Sequence, residues 1–285
     1  MASGKAKSTG GSLWETFKTV VIALLIATIF RTVFFQPFFI PSGSMKDTLL
    51  IGDFLFVNKM AYGYSWASCP SLRIQIQRIS PDPIINIQPE RICGIFRGDG
   101  RLFGGEPEVG DVVVFRHPVR EEDFIKRVIG LPNDTIQVID GVVYINGEAA
   151  PQVPTDPFIE IYEPQGAPRI NAAGQVFIPF PRCTNDRDLD PDTDIGADCL
   201  KDRSIESLPN GHSHAILSSS PSGLNDDTIE FTVPEGHFFV MGDNRDNSVD
   251  SRVPQRNGGV GMVPIENLVG RADRVILSAS GRRIV

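Results

Sequence analysis

The sequence predicts a mostly β protein: an antiparallel β-sheet core with a smaller inserted β/irregular domain, preceded by one N-terminal transmembrane helix. Three observations carry that reading. Short β-branched runs recur along most of the chain and long amphipathic helical periods are scarce. Turn residues punctuate those runs, with 27 glycines and 22 prolines among 285 residues. The one long apolar stretch lies near the N-terminus beside a basic flank.

That stretch comes first in the chain. Val20–Phe35 contains one strongly polar residue, Arg31. As a helix the run would be about 24 Å long. Extended back to Thr16, with Lys18 reaching towards the headgroups, it meets the roughly 20 residues that a bilayer core needs. Lys5, Lys7 and Lys18 on the N-terminal side place that end in the cytoplasm. The expected order is therefore a basic cytoplasmic segment at 1–15, a single-pass anchor in the inner (cytoplasmic) membrane at 16–35, and an extracytoplasmic, periplasmic remainder. A cleaved leader peptide is the competing reading, but the residues after the apolar run are bulky and offer no A-x-A site. A buried core helix fits Arg31 and the basic flank less well.

The strands follow. Runs at Phe54–Asn58, Asp111–Phe115, Ile125–Ile129, Thr135–Ile139, Val142–Ile145, Thr228–Val233, His237–Met241 and Val275–Ser278 have strand composition. Asp140-Gly141 and Asn146-Gly147 are hairpin turn dipeptides. A short helix is expected at Pro264–Leu268. The core is expected from 36–145 and 228–285, with 146–227 as the smaller inserted domain. Residues 64–108 read as a second insertion without sustained periodicity.

Charge and cysteine content limit the function. The formal net charge is −8, which argues against a nucleic-acid binder, since phosphates call for a basic surface. Cys69, Cys93, Cys183 and Cys199 form an even set in the exported part, and three disulfide pairings are open. Cys69–Cys93 with Cys183–Cys199 is favoured, because each pair brackets a polar or Pro-rich insertion. Without a C-x-x-C pair a zinc site has little support. Asp186, Asp188, Asp190, Asp192 and Asp194 alternate, which in an extended segment would gather carboxylates on one side for a Ca²⁺. A solvated acidic loop is the preferred reading, as a polar loop is for His212 and His214. No metal or cofactor is expected, and a monomer is the default.

Three blocks carry chemistry. Pro41-Ser42-Gly43-Ser44-Met45 follows the apolar Phe38-Phe39-Ile40 and lies just beyond the anchor. A serine nucleophile needs a base, and the four histidines have no triad context. Lys126, inside the apolar Phe124-Ile125-Lys126-Arg127-Val128-Ile129, can serve if burial keeps its amine neutral. An edge-strand lysine facing solvent is the plain alternative. Gly242–Arg252 is almost wholly polar after the apolar Phe238–Met241, and reads either as a surface loop or as a hydrogen-bonding wall. In that wall Ser248 would orient the lysine, and Asp250 with Arg252 would lock the loop.

These blocks resemble bacterial type I signal peptidase, or leader peptidase, a membrane-anchored serine protease with a Ser–Lys dyad. The resemblance rests on Pro41–Met45 with Thr48–Asp53, Gly110–Phe115, Ile125–Pro132 and Gly242–Ser248 with Asp250–Arg252, in that order. It implies Ser44 as nucleophile and Lys126 as general base. It implies an oxyanion hole from the Ser44 N–H and the Ser42 hydroxyl, Ser248 as partner of Lys126, and structural support from Asp250, Arg252 and Arg127. Phe38, Ile40, Met45, Leu49, Leu55, Val114, Phe124 and Ile125 match positions lining small apolar pockets, which would select Ala-x-Ala sites by excluding larger side chains. The implied partners are signal peptides of exported preproteins and membrane lipid. Some Gram-negative members have two spans where one is expected here. The competing functions are a non-catalytic membrane-anchored extracytoplasmic binding module and a Ser–Lys protease with another substrate.

Overall fold

The computed structural model describes residues 9–69, 72–74, 85–87, 101–120, 122–165, 169–170, 174–220 and 222–278. Helix α1 spans Thr9–Val33. Strand β1 follows at Phe35–Phe39, β2 at Asp53–Asn58, β3 at Val112–Arg116 and β4 at Asp123–Gly130. Next come β5 (Thr135–Ile139), β6 (Val142–Ile145), β7 (Glu148–Ala149), β8 (Gln152–Pro154) and β9 (Phe158–Ile161). The chain continues through β10 (Asp198–Ser207), β11 (Ser213–Ser218), β12 (Phe231–Thr232), β13 (His237–Met241), β14 (Val263–Pro264) and β15 (Leu268–Ser278).

The main sheet has seven strands in the order β1-β2-β15-β3-β4-β13-β14, and each adjacent pair is antiparallel. β15 interrupts its register against both β2 and β3, and β13 does so against β4. Such bulges bend and twist a sheet. Side-chain alternation covers both faces of β3. Val114 joins Ile40, Met45, Leu49, Leu55 and Val269 on one side, while Val113 and Phe115 join Val128, Phe238 and Val240 on the other. A second antiparallel sheet, β12-β5-β6-β7, packs Ile136, Val138, Val143 and Ile145 against Ile129, Phe239 and Met241.

Between residues 150 and 227 the sequence promised few strands, yet β10 is ten residues long and pairs with β8, β9 and β11. The reason is burial of charge. Lys201 and Glu206 lie on β10, fully buried, so the strand lacks an apolar pattern and is satisfied by ion pairs.

Several local expectations change. Thr228–Val233 forms only the two-residue β12, whereas Val275–Ser278 is the end of an eleven-residue strand beginning at Leu268. Pro264–Leu268 contains a single 3₁₀ turn, Ile265–Asn267. The alternating aspartates do not share an extended face. Asp186–Asp188 is a 3₁₀ turn, and the carboxylates cap loop amides, Asp186 accepting from the Cys183 N–H at 2.8 Å and Asp190 from the Asp192 N–H at 2.9 Å. Among the described residues no group of three or more His, Cys, Asp or Glu could hold a metal ion. Cys183 bonds to Cys199, with Cα atoms 5.3 Å apart. Cys69 is also disulfide-bonded, and Cys93 lies outside the described residues.

The anchor expected over 16–35 is helical as far as Val33, and Phe35 already belongs to β1. Among the described residues no helix is long and apolar enough to cross a membrane. Leu13, Trp14, Phe17, Ile22, Leu24, Leu25, Ile26 and Ile29 of α1 are all exposed.

Candidate active site

The turn carrying Ser44 is built by its own backbone and fixed from outside. Gly43 O accepts the Lys46 N–H, Met45 O accepts the Leu49 N–H, and Asp53 Oδ2 caps the Leu50 N–H at 2.8 Å. Met45, Leu49 and Leu55 drive the turn onto the sheet by burying their side chains. They pack in one cluster with Ile40 and Val114, which line the cleft. The loop after β13 grips the turn from above: Asn244 Nδ2 donates to Gly43 O at 2.9 Å and the Asn244 N–H to Ser44 O at 3.1 Å.

Lys126 projects from the middle of β4, opposite Val113 of β3. Its Nζ donates to Ser44 Oγ at 2.7 Å and to Ile125 O at 2.9 Å. The two groups, 82 residues apart in sequence, thus meet directly. Burial penalises the ammonium and lowers the Lys126 pKa to about 8, against the pull of Asp250 and Asp243 and with the help of Arg252.

The polar block beside them is an ordered network. Arg127 binds Asp243 through Nε at 2.8 Å and Nη2 at 2.7 Å, a bidentate pair, and reaches Gly110 O at 2.7 Å. Thr48 Oγ1 donates to Asp243 Oδ2, tying that carboxylate to the turn that carries Ser44. Arg252 binds Asp250 at 2.9 Å through both Nε and Nη2, and Asp250 Oδ2 accepts the Gly242 N–H at 3.1 Å. Burial pushes the Asp250 carboxyl up, but the Arg252 guanidinium outweighs it and holds it below the usual range. Ser248 is buried, but its Oγ makes no hydrogen bond of good geometry, so the bond expected from it to Lys126 is not formed in this arrangement. It lies against Gly242: a Cβ added there would sit 2.3 Å from Ser248 Oγ and 2.6 Å from Ser44 O.

A cleft of about 450 Å³ opens over Ser44 and Lys126. Phe38, Ile40, Ser42, Val114, Phe124 and Ile125 line it. Asn247 and Val249 line it from the polar loop that the sequence offered as a wall. Its far wall, made of Gln165, Pro179 and Phe180 with Arg120 and Glu122 of the β3–β4 turn and Asp123 at the start of β4, was not foreseen. Only the Pro and aromatic content around 179–180 could have hinted at this, and nothing in the sequence set it apart from a turn. The paired histidines have local roles: His212 Nε2 lies 3.2 Å from Arg127 Nη1, and His214 Nε2 lies 3.4 Å from Glu206 Oε2.

A hydroxyl on a buried amine, beside an apolar cleft, suits acyl transfer to serine. Comparison with known proteins agrees. The family described as signal peptidase, peptidase S26, matches residues 13–277. Signal peptidase I of Rickettsia prowazekii (strain Madrid E) is 34% identical over 275 residues, covering 93% of this chain and 80% of the relative. That of Rickettsia typhi (strain ATCC VR-144 / Wilmington) is 35% identical, covering 95% and 82%. A crystal structure of a signal peptidase I from Enterococcus faecalis V583 aligns at 22% identity over 59% of this chain and 98% of that chain, with a TM-score of 0.29. On the sequence matches, the chain belongs to the signal peptidase, peptidase S26, family and is a serine endopeptidase.

Proposed function

We propose that this protein is a membrane-anchored endopeptidase that removes signal peptides from exported preproteins after small-x-small sites, with Ser44 as nucleophile and Lys126 as general base. The observation that carries the reading is the 2.7 Å contact between Ser44 Oγ and a fully buried lysine with a lowered pKa. As the neutral amine, Lys126 takes the Ser44 hydroxyl proton while Oγ bonds to the scissile carbonyl carbon. The carbonyl π electrons move to oxygen. The Ser44 N–H, which donates to no acceptor among the described residues, and the nearby Ser42 hydroxyl receive that charge. Collapse breaks the C–N bond, and the Lys126 ammonium gives its proton to the leaving amine. Water then attacks the ester, Lys126 accepts its proton, and the C–O bond to Ser44 breaks as Oγ is reprotonated.

Arg127, Asp243, Asp250 and Arg252 act as structural support, and Ser248, buried in the same loop, is the residue that orients the amine. Small residues are selected because Phe38, Ile40, Val114, Phe124 and Ile125 leave a shallow apolar wall. The anchor is α1, whose exposed apolar side chains have lipid as their natural medium. Lys18 lies on its N-terminal, cytoplasmic side.

Cleavage of a preprotein carrying an Ala-x-Ala site, measured in proteoliposomes, tests this. Wild type is expected to cut it and to spare a version with a bulky residue at the first position before the scissile bond. Ser44→Ala and Lys126→Ala are expected to be inactive while folded, having lost the nucleophile or the base. Activity in either variant would overturn the dyad.

A further inference from the structure

Lys46 and Asp47, two and three residues after Ser44, form a second grip on the active-site turn beside that of Asn244. Lys46 is buried, and its aliphatic stem lies over Gly43: a Cβ added to that glycine would sit 3.2 Å from Lys46 Cε and 3.4 Å from Cδ. Its ammonium is held by Glu160 of β9 and donates to Gln165 Oε1 at 3.2 Å. Gln165 Nε2 returns a hydrogen bond to Glu160 Oε2 at 2.9 Å, and Gln165 itself lines the cleft. Lys201 of β10, fully buried, pairs with the other Glu160 oxygen at 2.7 Å. The next residue repeats the pattern, with Asp47 paired to Arg203 of β10 at 2.9 Å.

This arrangement is costly unless it does something. Two ammonium groups share one carboxylate in a buried site, where an apolar replacement would often be no less stable. In return it fixes Lys46, and through its stem the Gly43–Ser44 peptide. That peptide carries both the Gly43 carbonyl held by Asn244 and the Ser44 N–H, which has no acceptor among the described residues.

We infer that Lys46 and Glu160 are positioning residues, through which the inserted sheet holds the Gly43–Ser44 peptide in register for the oxyanion. The inference rests on the reading of Ser44 as nucleophile. It makes the sheet of β8–β11 part of the catalytic device, since the strands bearing Glu160 and Lys201 align the turn that reacts. It also gives Gln165 two duties, one towards the substrate cleft and one towards the buried pair.

The test is a double-mutant cycle with Lys46→Met, Glu160→Gln and the double variant, assayed on a soluble peptide with an Ala-x-Ala site. Lys46→Met keeps the stem over Gly43 and removes only the charge. Each single variant is expected to lower kcat about tenfold or more while KM stays within about twofold, because a misaligned donor acts on the transition state. The double variant is expected to be no worse than the poorer single one. Wild-type kcat in both single variants, or an effect confined to KM or to melting temperature, would overturn the inference. If the single variants do not fold, a triple variant, Lys46→Met, Glu160→Leu and Lys201→Met, replaces the charges with apolar side chains and carries the same test. A folded triple variant with wild-type kcat would overturn the inference, and one with kcat lowered about tenfold would support it. Ser44→Ala, run in parallel, separates the two claims. If it stays active the nucleophile assignment fails; if it is dead while the cycle shows no effect, only the positioning role fails.

Discussion

Lys126 has to be neutral to take a proton, and the groups around it set the pH at which that happens. Burial brings its pKa to about 8, and the carboxylates of Asp250 and Asp243 keep it from falling further. The sign follows directly. Below that pH the amine is protonated and cannot act as a base, so kcat/KM should rise as pH increases through about 8 and level off above it. A pH profile on a soluble peptide checks this, and a flat profile between pH 6 and 8 would contradict it. Asp250→Asn removes a charge that favours the ammonium, so its inflection should lie at lower pH than that of wild type. Glu206 behaves in the opposite sense. Burial pushes its carboxyl up, but Arg245 and His214 overcome this and hold it at about 2. Its contribution, on the order of 3 kcal/mol at neutral pH, is complete above the unfolded value near 4.5 and is lost as pH falls towards 2. Urea unfolding at several pH values should therefore show the stability gap between wild type and Glu206→Gln shrinking across that window.

At the scale of elements, the geometry depends on loops that leave no room for change. The site's tightest place is Gly242, where β13 passes into the polar loop. A methyl group there meets Ser248 Oγ and Ser44 O well inside contact distance. Ser44 O belongs to backbone and cannot swing aside, so Gly242→Ala should push the Ser44 turn off Lys126. A loss of kcat of about 100-fold is expected for a displacement near 1 Å, with a stability cost of about 1–3 kcal/mol. Stopped assays and thermal melts on the same protein would separate the two effects. The elements that sequence reading located well share one property: their apolar residues alternate or run continuously, as in β5, β6 and β13, whose limits fall where the pattern begins and ends. Ser44 and Lys126 stood out as candidates for a related reason. A lone lysine in an apolar strand and a Ser-Gly-Ser turn after an apolar run both stand out locally. Strand β10 and the far wall of the cleft were not legible, because their order comes from partners distant in sequence. Glu160 meets Lys46 across 114 residues, and Arg245 meets Glu206 across 39.

For the whole molecule, the question is what α1 contributes when the catalytic groups all lie beyond it. Phe34 O accepts the Lys59 N–H, and β1 starts one residue later, so the helix leads straight into the edge strand of the main sheet. Ser44 follows five residues after that strand ends. The reacting turn is thereby tied closely to wherever α1 resides. If α1 lodges in lipid, enzyme and a membrane-held preprotein share one thin layer, and their encounter becomes effectively intramolecular. Chemistry at Ser44 gains nothing from this, since no residue of α1 lines the cleft. The two contributions can therefore be separated. Removing residues 1–33 leaves β1 and the Phe34–Lys59 bond in place, so kcat on a soluble Ala-x-Ala peptide should stay within about twofold of the full chain. The rate on a preprotein reconstituted in proteoliposomes should fall by about 100-fold or more, the scale on which confinement raises effective concentration. Binding of the shortened protein to vesicles should fall in parallel. An equal loss on both substrates would mean that α1 supports the fold of the catalytic sheet. No loss on either would mean that the substrate reaches the cleft from solution.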